Sequence, residues 1–159
     1  MRILIGCECS GTVRDAFLRQ GHDAYSCDIK RDEHGSNRHF VADILDAIDP
    51  ANEHIFGKFD MLAVMHPPCT RLCNSGVRWL KVPPPNKTLD EMWKELDDGA
   101  ALFNSCLNAD IPHIAIENPV MHKYAKERIN FGDTKPFYVQ PWQFADSDES
   151  PDNEKKRTG

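Results

Sequence analysis

Residues 60–76 read DMLAVMHPPCTRLCNSG. An apolar run that meets Pro67 and Pro68 is a buried strand brought to a stop, because proline has no N–H for the ladder and pushes the preceding residue toward extended backbone. A stiff loop follows, with the thiol of Cys69 at a fixed place on it. That thiol is either a nucleophile or a small residue in a turn.

Working outward, similar runs recur along the chain. RILIG (2–6) is β-branched and ends in glycine; DAYSCD (23–28), HFVAD (39–43), DMLAV (60–64) and HIAIEN (113–118) predict four more strands, with PFYVQ (136–140) a candidate sixth. Between the first two, Val13, Ala16, Phe17 and Gln20 fall at helical spacing, with Ser10 or Thr12 as the cap and Gly21 as the stop. Leu89, Met92, Trp93, Leu96, Ala100, Phe103 and Leu107 step along one face of a long helix, with Thr88 as its N-cap. Strand and helix in alternation predict an α/β fold, a mostly parallel, Rossmann-like sheet with helices on both faces. Such sheets bind ligands beyond the carboxyl ends of their strands, at the switch point. Each predicted strand end carries something reactive or acidic: GCECSG after the first, then Asp28, Asp43, Pro67-Pro68-Cys69 and Glu117-Asn118-Pro119.

Composition narrows the classes. No apolar stretch approaches the roughly 20 residues of a membrane span, and the apolar run at the start reaches glycine too soon for a signal peptide, so a cytoplasmic location is expected. The six cysteines lack zinc-knuckle spacing and a secretory context, so neither a metal nor disulfides are expected. A net charge of −6 argues against gripping duplex DNA by bulk electrostatics. Locally the balance reverses: residues 70–89 hold four cations, Arg71, Arg78, Lys81 and Lys87, around Trp79 and no acid. A domain over 1–145 and a charged, disordered tail over 146–159 complete the expected organisation.

Each candidate has a bland counterpart. The GCECSG loop (Gly6, Cys7, Gly11) is a cofactor cradle or a plain turn, since it does not match G-x-G-x-x-G. Asp28 can accept from a ribose diol or cap a loop; Asp43 can accept from an adenine amine or cap a helix. Cys69, beside a positive stretch, can have a lowered pKa and act as a thiolate, or can merely fill a turn. Cys73, four residues on, reads as packing. Glu117, if half-sunk among apolar groups, can donate a proton; otherwise it is an ion-paired strand end.

Taken together, Pro67-Pro68-Cys69 after the fourth strand and Glu117-Asn118 after the fifth resemble the DNA cytosine-5 methyltransferases. RDAFLRQGHDAYSCDI (14–29) is similar to that family's first helix and second strand, and the likeness covers about residues 2–119. The resemblance implies an S-adenosylmethionine-dependent methyltransferase fold and Cys69 and Glu117 as catalytic residues. Gly6, Cys7, Gly11, Asp28, Ile29, Asp43 and Pro67 are then expected to line the cofactor, and Pro68, Asn118, Arg71 and Arg78 to meet the substrate. It implies a cytosine flipped out of DNA, addition of Cys69 to ring carbon 6, and methylation of carbon 5. Cysteine rather than an aromatic residue after Pro-Pro points to carbon and not amino methylation.

The chain departs from that family in three places. The first loop lacks the fuller glycine run, with His66 standing where a glycine often precedes Pro-Pro. No arginine-rich strand motif follows Asn118, although QPWQF (140–144) falls in its region. The length leaves no room for a target recognition domain, so a C-terminally shortened, phage-like core is expected, with a partner supplying recognition. An interaction module that keeps the cofactor pocket, and a methylase of RNA or free nucleotides, are the alternatives.

Overall fold

Alternate residues of the first strand bury against opposite layers, which is why its sequence is apolar throughout. The structure, a computed structural model, describes residues 1–140 and 143. In β1 (Arg2–Gly6), Ile3 and Ile5 pack with Ala24 under Val13, Phe17 and Leu18. Leu4 faces the other way, into a core with Cys27, Ile44, Ala47, Leu62, Val64 and Cys106. Helix α1 (Thr12–Arg19) therefore covers one face, while α2 (Ile44–Ile48) and α4 (Leu89–Leu107) cover the other.

The remaining strands are β2 (Asp23–Asp28), β3 (His39–Val41), β4 (Met61–Val64) and β5 (His113–Ile116). All pairings are parallel, and the order is β3-β2-β1-β4-β5. The chain thus moves outward from β1 to β3, then returns to lay β4 on the other side of β1. That reversal puts the switch point between β1 and β4, compatible with a Rossmann-like fold. The third strand is shorter than its sequence suggests, because the Asp43 carboxylate accepts from Leu45 N–H at 2.9 Å and starts α2. A short helix, α3 (Glu53–Phe56), precedes β4.

Two expectations are corrected. Residues 136–140 form no strand; Phe137 is 86% exposed, so its β-forming residues find no sheet to pack on. Gly11 and not Ser10 or Thr12 stands at the N-cap of α1; Ser10 Oγ accepts from the first helical N–H, Thr12, at 3.3 Å, but the next two are met from elsewhere. The buried Glu8 carboxylate meets them, accepting from Val13 N–H at 2.6 Å and Arg14 N–H at 3.2 Å. Thr88 caps α4 as expected, in a reciprocal capping box with Glu91. The tail over 146–159 lies outside the described residues, as does QPWQF apart from Gln140 and Gln143. Among the described residues, no helix is long and apolar enough to cross a membrane.

Beyond α4 lies a second core. Met92, Leu96, Ala100 and Phe103 meet Leu72 and Leu80 from the segment after Cys69, together with Ala125 and Ile129 around α5 (Lys123–Lys126). The loop that carries the thiol is thus seated on a helix by its own apolar residues.

A buried ion pair fastens the other side of the rim. Arg14 is 1% exposed, and its guanidinium donates to Asp32 at 2.6 Å and Ser26 Oγ at 3.0 Å. The Ser36 N–H, then Arg14 and the His34 N–H, hold the Asp32 carboxyl far below the usual carboxylate range. Asp32→Ala should cost about 3 kcal/mol at neutral pH in urea unfolding, because it leaves the buried Arg14 guanidinium with only Asp15 and Ser26 as partners. A depressed carboxyl contributes fully above its unfolded value, so the gap between wild type and variant should narrow as pH falls below about 4.

Candidate active site

The ladder continues past the strand ends and aligns the loops at the switch point. Met65 N–H donates to Gly6 O at 3.1 Å, and Glu117 N–H donates to Val64 O at 2.9 Å. The loops bearing Cys7, Cys69 and Glu117 therefore leave neighbouring strands at one level. Pro67 is buried, Pro68 exposed, and Cys69 half-buried. A turn starts at Cys69, whose carbonyl accepts from Leu72 N–H at 2.8 Å and Cys73 N–H at 3.0 Å, and a 3-10 helix follows over Asn74–Leu80. Gly76 closes this turn: a Cβ there would lie 1.7 Å from the Thr70 carbonyl oxygen.

Burial pushes the Cys69 thiol above its ordinary value; the neighbouring Cys73 adds to this, and so does the Glu117 carboxylate. The direction corrects the expectation of a lowered thiol. The nearby cations are engaged elsewhere, because Arg71 Nε donates to Glu95 at 2.7 Å and Lys87 pairs with the same carboxylate. Arg78 is exposed and lies over the Trp79 ring at 4.3 Å. Cys69 and Glu117 stand on loops that leave the paired strands β4 and β5, and Glu117 is exposed and not half-sunk among apolar side chains. Asn118 turns its Nδ2 to Pro119 O at 2.6 Å and leaves Oδ1 buried without a partner.

The first three strand ends make a second cluster. Cys7 has a left-handed backbone, φ 57°, and its thiol is pushed up to about 12 by burial, then by Cys106, Asp28 and Asp43. Cys27 is also raised to about 12 and Cys106 to about 11, in both cases chiefly by burial, so these thiols are inert at neutral pH. The two loop glycines serve the chain's own packing: a Cβ at Gly6 would lie 2.8 Å from Ile44 Cδ1, and one at Gly11, with φ 72°, 2.2 Å from the Arg14 guanidinium. Asp28 accepts from Lys30 N–H at 2.8 Å through one oxygen, with the second uncommitted among the described residues. Beside it, Ile29 stands 74% exposed. A carboxylate oxygen next to an exposed aliphatic side chain suits a ribose diol and the face of a purine.

A cleft of about 390 Å³ flanks the thiol loop, walled by Pro68, Thr70, Arg71, Glu95, Asp98, Gly99 and Leu102. It lies on the α4 side, and Cys69 is not part of its wall. Among the described residues no group of three or more His, Cys, Asp and Glu side chains is placed to hold a metal ion. Sequence reasoning missed Glu8, which caps α1 from five and six residues away, and Glu95 and His122, which act through contacts distant in sequence. His122 stands before KYAK as an N-cap, and that position was its only local signal. No family model matches the sequence, nor does any curated protein or solved structure match it.

Glu117→Gln should lower the pH at which Cys69 is alkylated. A negative neighbour disfavours the thiolate, so its removal should speed iodoacetamide labelling at pH 8 by about two- to five-fold. Peptide mass spectrometry on Cys69 reads the result, and an unchanged rate would refute the coupling.

Proposed function

We propose that this chain is a cytosine-5 methyltransferase core that uses Cys69 as nucleophile and Glu117 as its proton partner. One observation carries the reading: the loop with the Cys69 thiol and the residue Glu117 leave the adjacent, paired strands β4 and β5 at one level, beside the switch point. Carbon 5 of cytosine is a poor nucleophile until something adds at carbon 6. Cys69, as thiolate, forms the sulfur–carbon 6 bond, and the ring's electron density moves toward carbon 5. Glu117 takes up a proton as the base binds, donates it in a hydrogen bond to ring nitrogen 3 and so stabilises the negative charge that develops there. S-adenosylmethionine, when bound, supplies an electrophilic methyl group to carbon 5. Water then takes the carbon 5 proton, and the electron pair of that bond reforms the carbon 5–carbon 6 double bond and expels Cys69 as thiolate.

Asp28 and Ile29 would hold the ribose and adenine of that cofactor, with Asp43, Cys7 and Pro67 beside them and Gly6 and Gly11 shaping the loop. Pro68 and Asn118 would meet the base. Arg78, free of any acidic partner among the described residues, is better placed for a phosphate than Arg71, which Glu95 already occupies. The net charge of −6 favours a partner that supplies DNA recognition, or a smaller RNA or nucleotide substrate. A second reading, a cofactor-binding interaction module without turnover, is favoured by the raised thiol and its neutralised cations.

DNA containing 5-fluorocytosine should trap a covalent adduct on Cys69 only when S-adenosylmethionine is present, because fluorine blocks the last elimination. Cys69→Ser should abolish the adduct and reduce methyl transfer by about a thousand-fold or more. Cofactor binding by calorimetry with no adduct and no methylated product on DNA, RNA or nucleotides would favour the second reading.

A further inference from the structure

His122 is only 4% exposed, and both of its ring nitrogens are engaged. Nδ1 accepts from Ala125 N–H at 3.2 Å and so caps α5. The proton must then sit on Nε2, which donates to the Arg71 carbonyl at 2.6 Å. One neutral tautomer satisfies both partners.

Arg71 lies inside the turn that Cys69 starts. Around the imidazole bond, His122 N–H donates to Leu72 O at 3.1 Å and Asn74 N–H to Val120 O at 3.0 Å, an antiparallel bridge of Cys73 with Met121. The stretch 120–122 follows Glu117 and Asn118 within a few residues. The sheet ladder ends with Glu117 N–H on Val64 O; beyond that bond these are the hydrogen bonds that join the two loops among the described residues, beside the apolar packing of Leu72 with Met121 and Ala125. From the opposite side Glu95 pulls the Arg71 guanidinium toward α4.

We propose that His122 is a positioning residue: its Nε2–H bond to the Arg71 carbonyl sets where the Cys69 turn stands relative to the Glu117 rim. The inference rests on Cys69 and Glu117 forming one site, and it is tested without reference to methyl transfer. Without that bond, the turn keeps its backbone bridge at Leu72 but loses the fastening nearest the thiol.

Two substitutions in the full chain separate positioning from helix capping. His122→Asn keeps a short acceptor for Ala125 N–H and cannot reach Arg71. His122→Gln places an amide N–H near the position of Nε2 and gives up the close cap. The readout is the pH profile of Cys69 alkylation by iodoacetamide, with thermal melting as a folding control. H122Q should retain the wild-type profile. H122N should shift it to lower pH, with labelling at pH 8 faster by about ten-fold, since one pKa unit is ten-fold in thiolate. An H122N profile that overlays wild type, or equal shifts in both variants, would overturn the role. Imidazole nitrogen NMR of the wild type gives an answer that needs no variant: a proton on Nδ1 would overturn it as well. If Glu117→Gln leaves the wild-type profile unmoved while H122N shifts it, the pairing of Cys69 with Glu117 fails and the positioning of Cys69 stands.

Discussion

Everything at the rim depends on the register of β4 between β1 and β5. Gly6 stands opposite Val64, and Val64 opposite Ile116, so the three strands end at one level and release their loops together. Side chains alternate faces along a strand, so a slip of one residue would send Leu62 and Val64 to the wrong layer. The apolar content of both layers therefore also fixes the position of the thiol. Pro67 adds the next constraint. It has no N–H, so the ladder cannot continue through it and the chain must leave the sheet there.

Charge inside this molecule is spent largely on its own architecture. Arg14 is enclosed by Asp15, Asp32 and Ser26, and Arg71 and Lys87 converge on Glu95. Such pairs hold loops in place and leave little positive potential for a polyanion. Two of the four cations after Cys69 are taken up by one glutamate from α4. They do not offset the burial that raises the thiol.

What the sequence made legible follows the range of each interaction. Strands β1, β2, β4 and β5 were readable because a sheet covered on both faces leaves apolar runs, and α4 because one stripe and one capping box lie within its own turns. Glu95 and His122 were not, since each acts on a partner that the fold brings near; Glu8 was not, because a glutamate reaching five and six residues ahead matches no capping-box spacing. PFYVQ misled for the converse reason. Phe137, Tyr138 and Val139 have strand preferences, but preference without a neighbouring strand forms no sheet. The sign of the Cys69 shift could not be had from counting nearby cations, because burial of the thiol decides it and burial is set by the fold.

On the proposed reading, the raised thiol has a consequence for how the reaction starts. The half-buried seat of Cys69 and the Glu117 carboxylate both favour the neutral thiol. A resting thiolate would be exposed to oxidants and stray electrophiles; a neutral thiol is far less reactive. When a ring nitrogen engages Glu117 and a proton lies between them, the negative charge facing the sulfur is reduced. The same contact that recognises the base thus removes one of the forces that hold the thiol protonated, and nucleophile and recognition become coupled through charge alone. This coupling requires a fixed separation between sulfur and carboxylate, because the interaction weakens as they part. The turn fastened between His122 and Glu95 is therefore as much a part of the site as the two groups it brings together.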